Sequence, residues 1–295
     1  MSKYATIAQV KARMKASKAA PQRTDYDDDL FELIETVSRR IDDEFYADRP
    51  LFAPWTETRR FEVDGTSVSS GRRVFRFPGQ LLALTSVGAS GTALTLTTQV
   101  TTYPNTTHPP WHRLILTDSA PMYSWYTNLL CTDNSAPPYV DVAGVWGIHR
   151  RYSAAWKAVD TLAAAMSDTT TKTFTVGNAS GDNEVGIAPR ISPGAIVMIG
   201  SEVMNTVTVN DVTNVVTVEE RGANGTTAAT HDNAATVSVW QVETPIRMAV
   251  ARQVGLMLSR DGSYSSMELT DAGAISYPKD WLYEVRNVMD RYGYD

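Results

Sequence analysis

The sequence predicts an α+β protein: a helical core with a β-hairpin region, interrupted by a small inserted all-β domain. Three observations lead there. Residues 26–48 place Leu30, Leu33, Ile34, Val37 and Ile41 at helical spacing on one face. From Thr169 the composition shifts to short Thr/Val-rich runs separated by Gly, Asn, Asp and Pro pairs. At Thr244-Pro245 a helix-start signal ends that segment, with Thr as the cap and Pro at the first helical position. The boundaries that follow are 1–167 with 244–295 for a discontinuous core, and 168–243 for the all-β insert.

In chain order, Thr6 followed three residues later by Gln9 forms a capping-box pattern, so a first helix is expected over 6–17. A connector spans 18–25. The helix at 26–48 opens on Asp25, Asp27, Asp28 and Asp29, where the helix dipole favours negative charge. Consecutive carboxylates radiate around a helix axis and cannot converge on one metal ion. Arg49-Pro50 is expected to stop it. Residues 56–118 read as β: Thr58–Val63 before the turn pair Asp64-Gly65, then Arg73–Phe77, a break at Pro78-Gly79, Leu81–Val87, Ala93–Val100 and Trp111–Thr117. Segment 118–138 is aromatic and irregular. Tyr139–Ile148 reads as a strand, and Ala154, Ala155, Ala158, Leu162 and Ala163 predict a helix over 150–167.

Within the insert, strands are expected at 174–176, 195–199, 202–204, 206–209, 215–218 and 236–240, forming a small sandwich or barrel. The helix from Thr244 carries Ile246, Val250, Val254 and Met257 on one side. A loop follows over 259–277, and a last helix from Pro278 carries Trp281, Leu282, Val285, Val288 and Met289.

The net charge of −6 and the scattered Arg doublets argue against a phosphate-neutralising surface. The single Cys131 excludes an internal disulfide and fits a reducing cytoplasm. No apolar run is long enough to span a bilayer, and no signal-peptide core is present. No phosphate loop, dinucleotide fingerprint or nucleophile elbow occurs. His108 and His112 are four apart, but Pro109-Pro110 between them prevents a shared helix. Arg221-Gly222-Ala223-Asn224-Gly225-Thr226 has the look of a glycine-rich phosphate cradle, yet its β-like flanks favour a hairpin turn at Asn224-Gly225. No catalytic residue, metal or cofactor is expected.

The elements outside the insert carry a resemblance by their order. Tyr4–Arg13, Asp28–Glu35 with Ser38–Asp42, Arg60–Gly65, Phe77-Pro78-Gly79, Val140–Gly147 and Pro245–Leu258 together resemble the head-to-tail connector (adaptor) family of tailed bacteriophages. The Ile199–Glu202 and Arg221–Thr226 stretches resemble β modules of phage structural proteins. The resemblance implies a non-catalytic virion protein at the neck, assembled in the host bacterial cytoplasm. It implies a homo-oligomeric ring of twelve subunits between the portal and a stopper or tail protein, with viral DNA passing through the lumen without sequence-specific binding. The C-terminal tail would meet the portal through Trp281, Leu282, Tyr283, Arg286, Tyr292 and Tyr294. The amphipathic helix would supply a ring interface through Leu30, Leu33, Ile34, Val37 and Ile41. A surface- or glycan-binding role for the β insert is the alternative, and an enzyme with a site on loop 103–138 is a further one.

Overall fold

The computed structural model describes residues 2–16, 26–45, 49–62, 68–69, 72–89, 91–104, 109–117, 139–182, 188–261 and 281–292. The chain divides into two compact units, residues 54–154 and residues 1–53 with 155–295. The expectation of a helical core is overturned. The described residues are organised around two large antiparallel sheets, and the four helices described span 10, 18, 18 and 8 residues.

The unit 54–154 is a seven-stranded sheet. Its strands are β1 (Trp55–Glu62), β2 (Val68–Ser69), β3 (Arg72–Ala89), β4 (Thr92–Ala93), β5 (Val100–Tyr103), β6 (Trp111–Leu116) and β7 (Tyr139–Trp146), in the order β1-β7-β3-β6-β5 with β2 and β4 on β3. Pro78-Gly79 does not end a strand as expected. β3 runs through it for 18 residues and changes partner there. Its first half pairs with β6, whose ladder resumes at Leu81–Trp111 after a register shift between Arg76 and Leu81, and its second half pairs with β7. Proline lacks the N–H that would continue a ladder, so the register shift falls where that bond is missing. The sheet wraps a core of Phe75, Phe77, Leu81, Val87, Leu114, Val140, Val142 and Trp146. Gly144 permits the closest approach: a Cβ there would lie 2.2 Å from the Ala83 carbonyl oxygen. Loop 118–138 lies outside the described residues, as does the Asp64-Gly65 turn.

In the other unit, α1 (Ile7–Ala16), α2 (Asp27–Glu44), α3 (Thr244–Asp261) and α4 (Tyr283–Asp290) pack on one another. The same unit holds a six-stranded sheet of β8 (Trp156–Thr161), β9 (Thr173–Thr175), β10 (Ile196–Ile199), β11 (Glu202–Asn210), β12 (Val215–Val218) and β13 (Thr236–Trp240), ordered β8-β13-β10-β11-β12-β9. The helix expected over 150–167 is a correction. Only a 3-10 turn at Tyr152–Ala154 is helical, and β8 pairs with β13 instead. Small-residue spacing allows a helix locally, but long-range pairing beside the Trp156–Trp240 ring contact decides the outcome. The two expected strands at 202–204 and 206–209 are one strand with a bulge.

The outer strands of this sheet meet. Leu162 bridges Val176, the Ala163 amide donates to the Thr175 carbonyl at 2.9 Å, and the Gly177 amide donates to the Thr161 carbonyl at 3.2 Å. The sheet therefore curls into a small barrel around Phe174, Val176, Ile191, Val197, Ile199, Met204, Val216 and Val237. Strands expected from composition between 174 and 240 are present, and the sheet they form begins at Trp156 and shares a compact unit with the helices.

Candidate functional site

The helices are tied together and to the barrel by the N-terminal residues 2–6. The capping box forms as the sequence predicts: the Thr6 amide donates to Gln9 Oε1 at 3.0 Å and the Gln9 amide to Thr6 Oγ1 at 3.3 Å. Upstream, Ser2 Oγ donates to Asn224 Oδ1 at 2.9 Å, and Lys3 Nζ lies 3.0 Å from Glu35 and 4.0 Å from the Phe31 ring centre. The Tyr4 amide donates to Ser38 Oγ at 3.0 Å and its hydroxyl donates to Asp42 Oδ1. The Ile7 and Ala8 amides reach the Pro193 carbonyl and Ser192 Oγ. Ser2, Lys3, Tyr4 and Ala5 are all buried. This strap lies between α2 on one side and barrel residues 192–194 and 224 on the other.

Beneath it, Asp42 accepts from Tyr4 and from the Leu51 amide at 3.1 Å, while the Phe52 amide donates to the Tyr4 hydroxyl at 3.3 Å. Burial pushes Asp42 up to about 7 against the pull of these bonds, and burial beside Asp42 raises Tyr4. Phe52 stacks edge-on with both Tyr4 and Tyr292, and its carbonyl accepts from Trp240 Nε1 at 2.9 Å. One aromatic residue thus gathers the strap, the C-terminal turn and the barrel.

Leu30, Ile34, Val37 and Ile41 are no more than 2 % exposed and Leu33 is half-buried. Leu30, Ile34, Val37 and Ile41 are thus covered within the chain itself. The outward stripe of α2 is Asp28, Glu32, Thr36, Arg39 and Asp43, all exposed or bordering solvent. Trp281 and Tyr292 are buried, with the Arg40 guanidinium 4.6 Å over the Trp281 ring. Leu282 is half-buried and its amide donates to Gln253 Oε1 at 3.2 Å. Arg286 is exposed. The Tyr283 side chain and Tyr294 lie outside the described residues. From the sequence, Asp42-Asp43-Glu44 reads as a solvated face late on α2; Asp43 and Glu44 are exposed, but Asp42 is buried, because it lies on the side of the helix that carries Ile34, Ser38 and Ile41. The sequence points to no role for Phe52.

The Arg221–Thr226 loop does turn at Asn224-Gly225, with φ of +53° and +77° and the Thr226 amide donating to the Ala223 carbonyl at 3.1 Å. Its cradle is filled from within. Glu202, fully buried, accepts from Arg221 Nε and Nη2 at 2.7 and 2.8 Å, from the Gly222 amide at 2.9 Å and from the Ala229 amide at 3.1 Å. His231 Nε2 is 2.8 Å away. Burial alone would raise Glu202, but these partners hold it at about 2. Arg221 also donates to the Asp168, Thr171 and Ala229 carbonyls. The groups that would bind an external phosphate are therefore spent on an internal carboxylate.

Among the described residues no cluster of His, Cys, Asp and Glu is placed to hold a metal ion, and no helix is long and apolar enough to cross a membrane. His108 lies outside the described residues. No family model, no curated protein and no solved structure matches the chain.

Proposed function

We propose that the chain is a non-catalytic structural subunit of a tailed-phage neck. It forms a ring of twelve copies that joins the portal to the stopper or tail and surrounds the exit path of the DNA. The observation that carries this reading is the convergence of the connector-like segments. Tyr4–Arg13, the α2 segment and the Pro245–Leu258 segment lie at opposite ends of the sequence, yet they pack as one helical cluster with α4. They are a minority component of a chain dominated by two antiparallel sheets, so the reading rests on that cluster and not on a helical core. The chain's net charge of −6 suits a wall past which DNA slides without adhering.

The test is the mass of the purified chain mixed with its cognate portal. A ring's worth of added mass supports the reading, and no association at any salt concentration overturns it. Removing residues 278–295 is a poor probe of portal contact, because Trp281, Val285, Met289 and Tyr292 are core. Exposed Arg286 is the better probe. Arg286→Glu is expected to weaken portal capture at least about tenfold, a change of about 1.4 kcal/mol, with an unchanged melting temperature. Wild-type capture by that variant removes Arg286 from the contact.

A further inference from the structure

The outer face of the sheet in unit 54–154 carries two arginines in direct opposition. Arg76 on β3 is the register partner of Arg113 on β6, and Arg113 is the partner of Tyr103 on β5. Register partners point to the same face, so the three side chains form one row across three strands. The Arg113 guanidinium lies 5.4 Å from the Tyr103 ring centre. Tyr103 is 47 % exposed and Arg76 is exposed. Like charges directly opposite each other destabilise a sheet. The arginines of β1 have local relief, Arg59 on Glu57 at 2.6 Å and Arg60 on Asp141 at 2.8 Å. Arg76 and Arg113 enter no ion pair among the described residues. The adjacent row on the same face, Val74, Ile115 and Thr101, is half-buried and mostly apolar.

An apolar row beside Arg and Tyr has the composition of a protein interface. A nucleic-acid track needs a succession of cationic groups along the backbone, and this row supplies two. The complement is present on the same chain. Asp28, Asp29 and Glu32 in the first turns of α2 are exposed, and none enters an ion pair among the described residues. Asp28 and Glu32, four apart, lie on the same side of the helix.

We propose that the Tyr103–Arg113–Arg76 row of one copy docks on the Asp28–Asp29–Glu32 turns of α2 in a neighbouring copy. The two surfaces differ, so the contact is head-to-tail and can close a ring. The proposal rests on the ring reading and deepens it by naming the contact between copies; it is read by self-association, separately from portal capture.

Two full-length variants test it: Arg76→Glu with Arg113→Glu, and Asp28→Lys with Glu32→Lys. Each alone places like charges across the contact. Mixed in equal amounts, they restore opposite charges at both kinds of junction. Self-association is read by sedimentation up to about 1 mM protein at about 20 mM salt, where screening of surface charge is weak. The wild type is expected to associate, each variant alone to associate at least about tenfold more weakly, and the mixture to recover. Arg76→Gln with Arg113→Gln provides a milder variant, and melting temperatures confirm that each variant folds. A monomeric wild type, variants that associate as the wild type does, or a mixture that fails to recover overturns the proposal. Binding of short duplex DNA that is lost in the glutamate variant, with self-association unchanged, also overturns it and gives the row to nucleic acid. Portal capture that survives these substitutions leaves the neck assignment standing without this contact.

Discussion

Two buried carboxylates give this protein opposite responses to pH. Glu202 is held at about 2, below its ordinary value of 4.5. As pH falls, the unfolded chain takes up this proton first, so the stabilisation is complete above about 4.5 and is lost as pH falls toward about 2. Asp42 is raised from 3.8 to about 7. Here the folded chain binds the proton more tightly, so stability declines as pH rises from about 4 to about 7. Urea midpoints measured from pH 4 to pH 8 are expected to fall in the wild type and to flatten in Asp42→Asn, a difference of about 4 kcal/mol at the upper end. An unchanged slope in Asp42→Asn would place the effect elsewhere. Glu202→Gln leaves Arg221 buried without its counter-charge, and a loss of about 3–5 kcal/mol is expected in the same assay at pH 7. A loss under about 1 kcal/mol would mean that the loop is held by its backbone turn alone.

Among the elements, β3 and its neighbour β7 depend on one position without a side chain. Gly144→Ala would drive a Cβ into the Ala83 carbonyl and toward Leu81 Cδ1, 2.7 Å away. The expected result is loss of about 3 kcal/mol or more, read as early melting of the tryptophan signal from Trp146. That constraint was not legible in the sequence, because Gly144 sits in an ordinary alternating run and its conflict lies on another strand. The capping box of α1, the amphipathic α2 with its acidic start, and most barrel strands were legible because each is written in local spacing. The 150–167 segment was misread as a helix because its alanines satisfy helical spacing while its partner strand lies some 80 residues away, at Thr236–Trp240. The apolar face of α2 is legible as a face that is covered, but periodicity does not say what covers it; here Leu30, Ile34, Val37 and Ile41 are buried within the chain. The Tyr4–Asp42 and Glu202–Arg221 contacts join residues 38 and 19 positions apart, beyond any local pattern.

For the molecule as a whole, the strap at residues 2–6 makes the helices and the barrel one unit, so its removal is expected to act on their docking and not on the barrel itself. In a chain with Ser2, Lys3 and Tyr4 replaced by alanine, hydrogen exchange should quicken in α1 and α2 while the β10–β11 and β10–β13 ladders stay protected. Equal loss of protection in both would show that barrel and helices unfold as a single cooperative body. The barrel has a further property that follows from the Leu162–Val176 bridge. An open sheet offers its last strand as a template, and copies held side by side by the hundred in a dense assembly line would extend one another into fibres. By hydrogen-bonding its first strand to its last, this module offers no such template along that seam. Packed against copies of itself, it adds no strand at that seam.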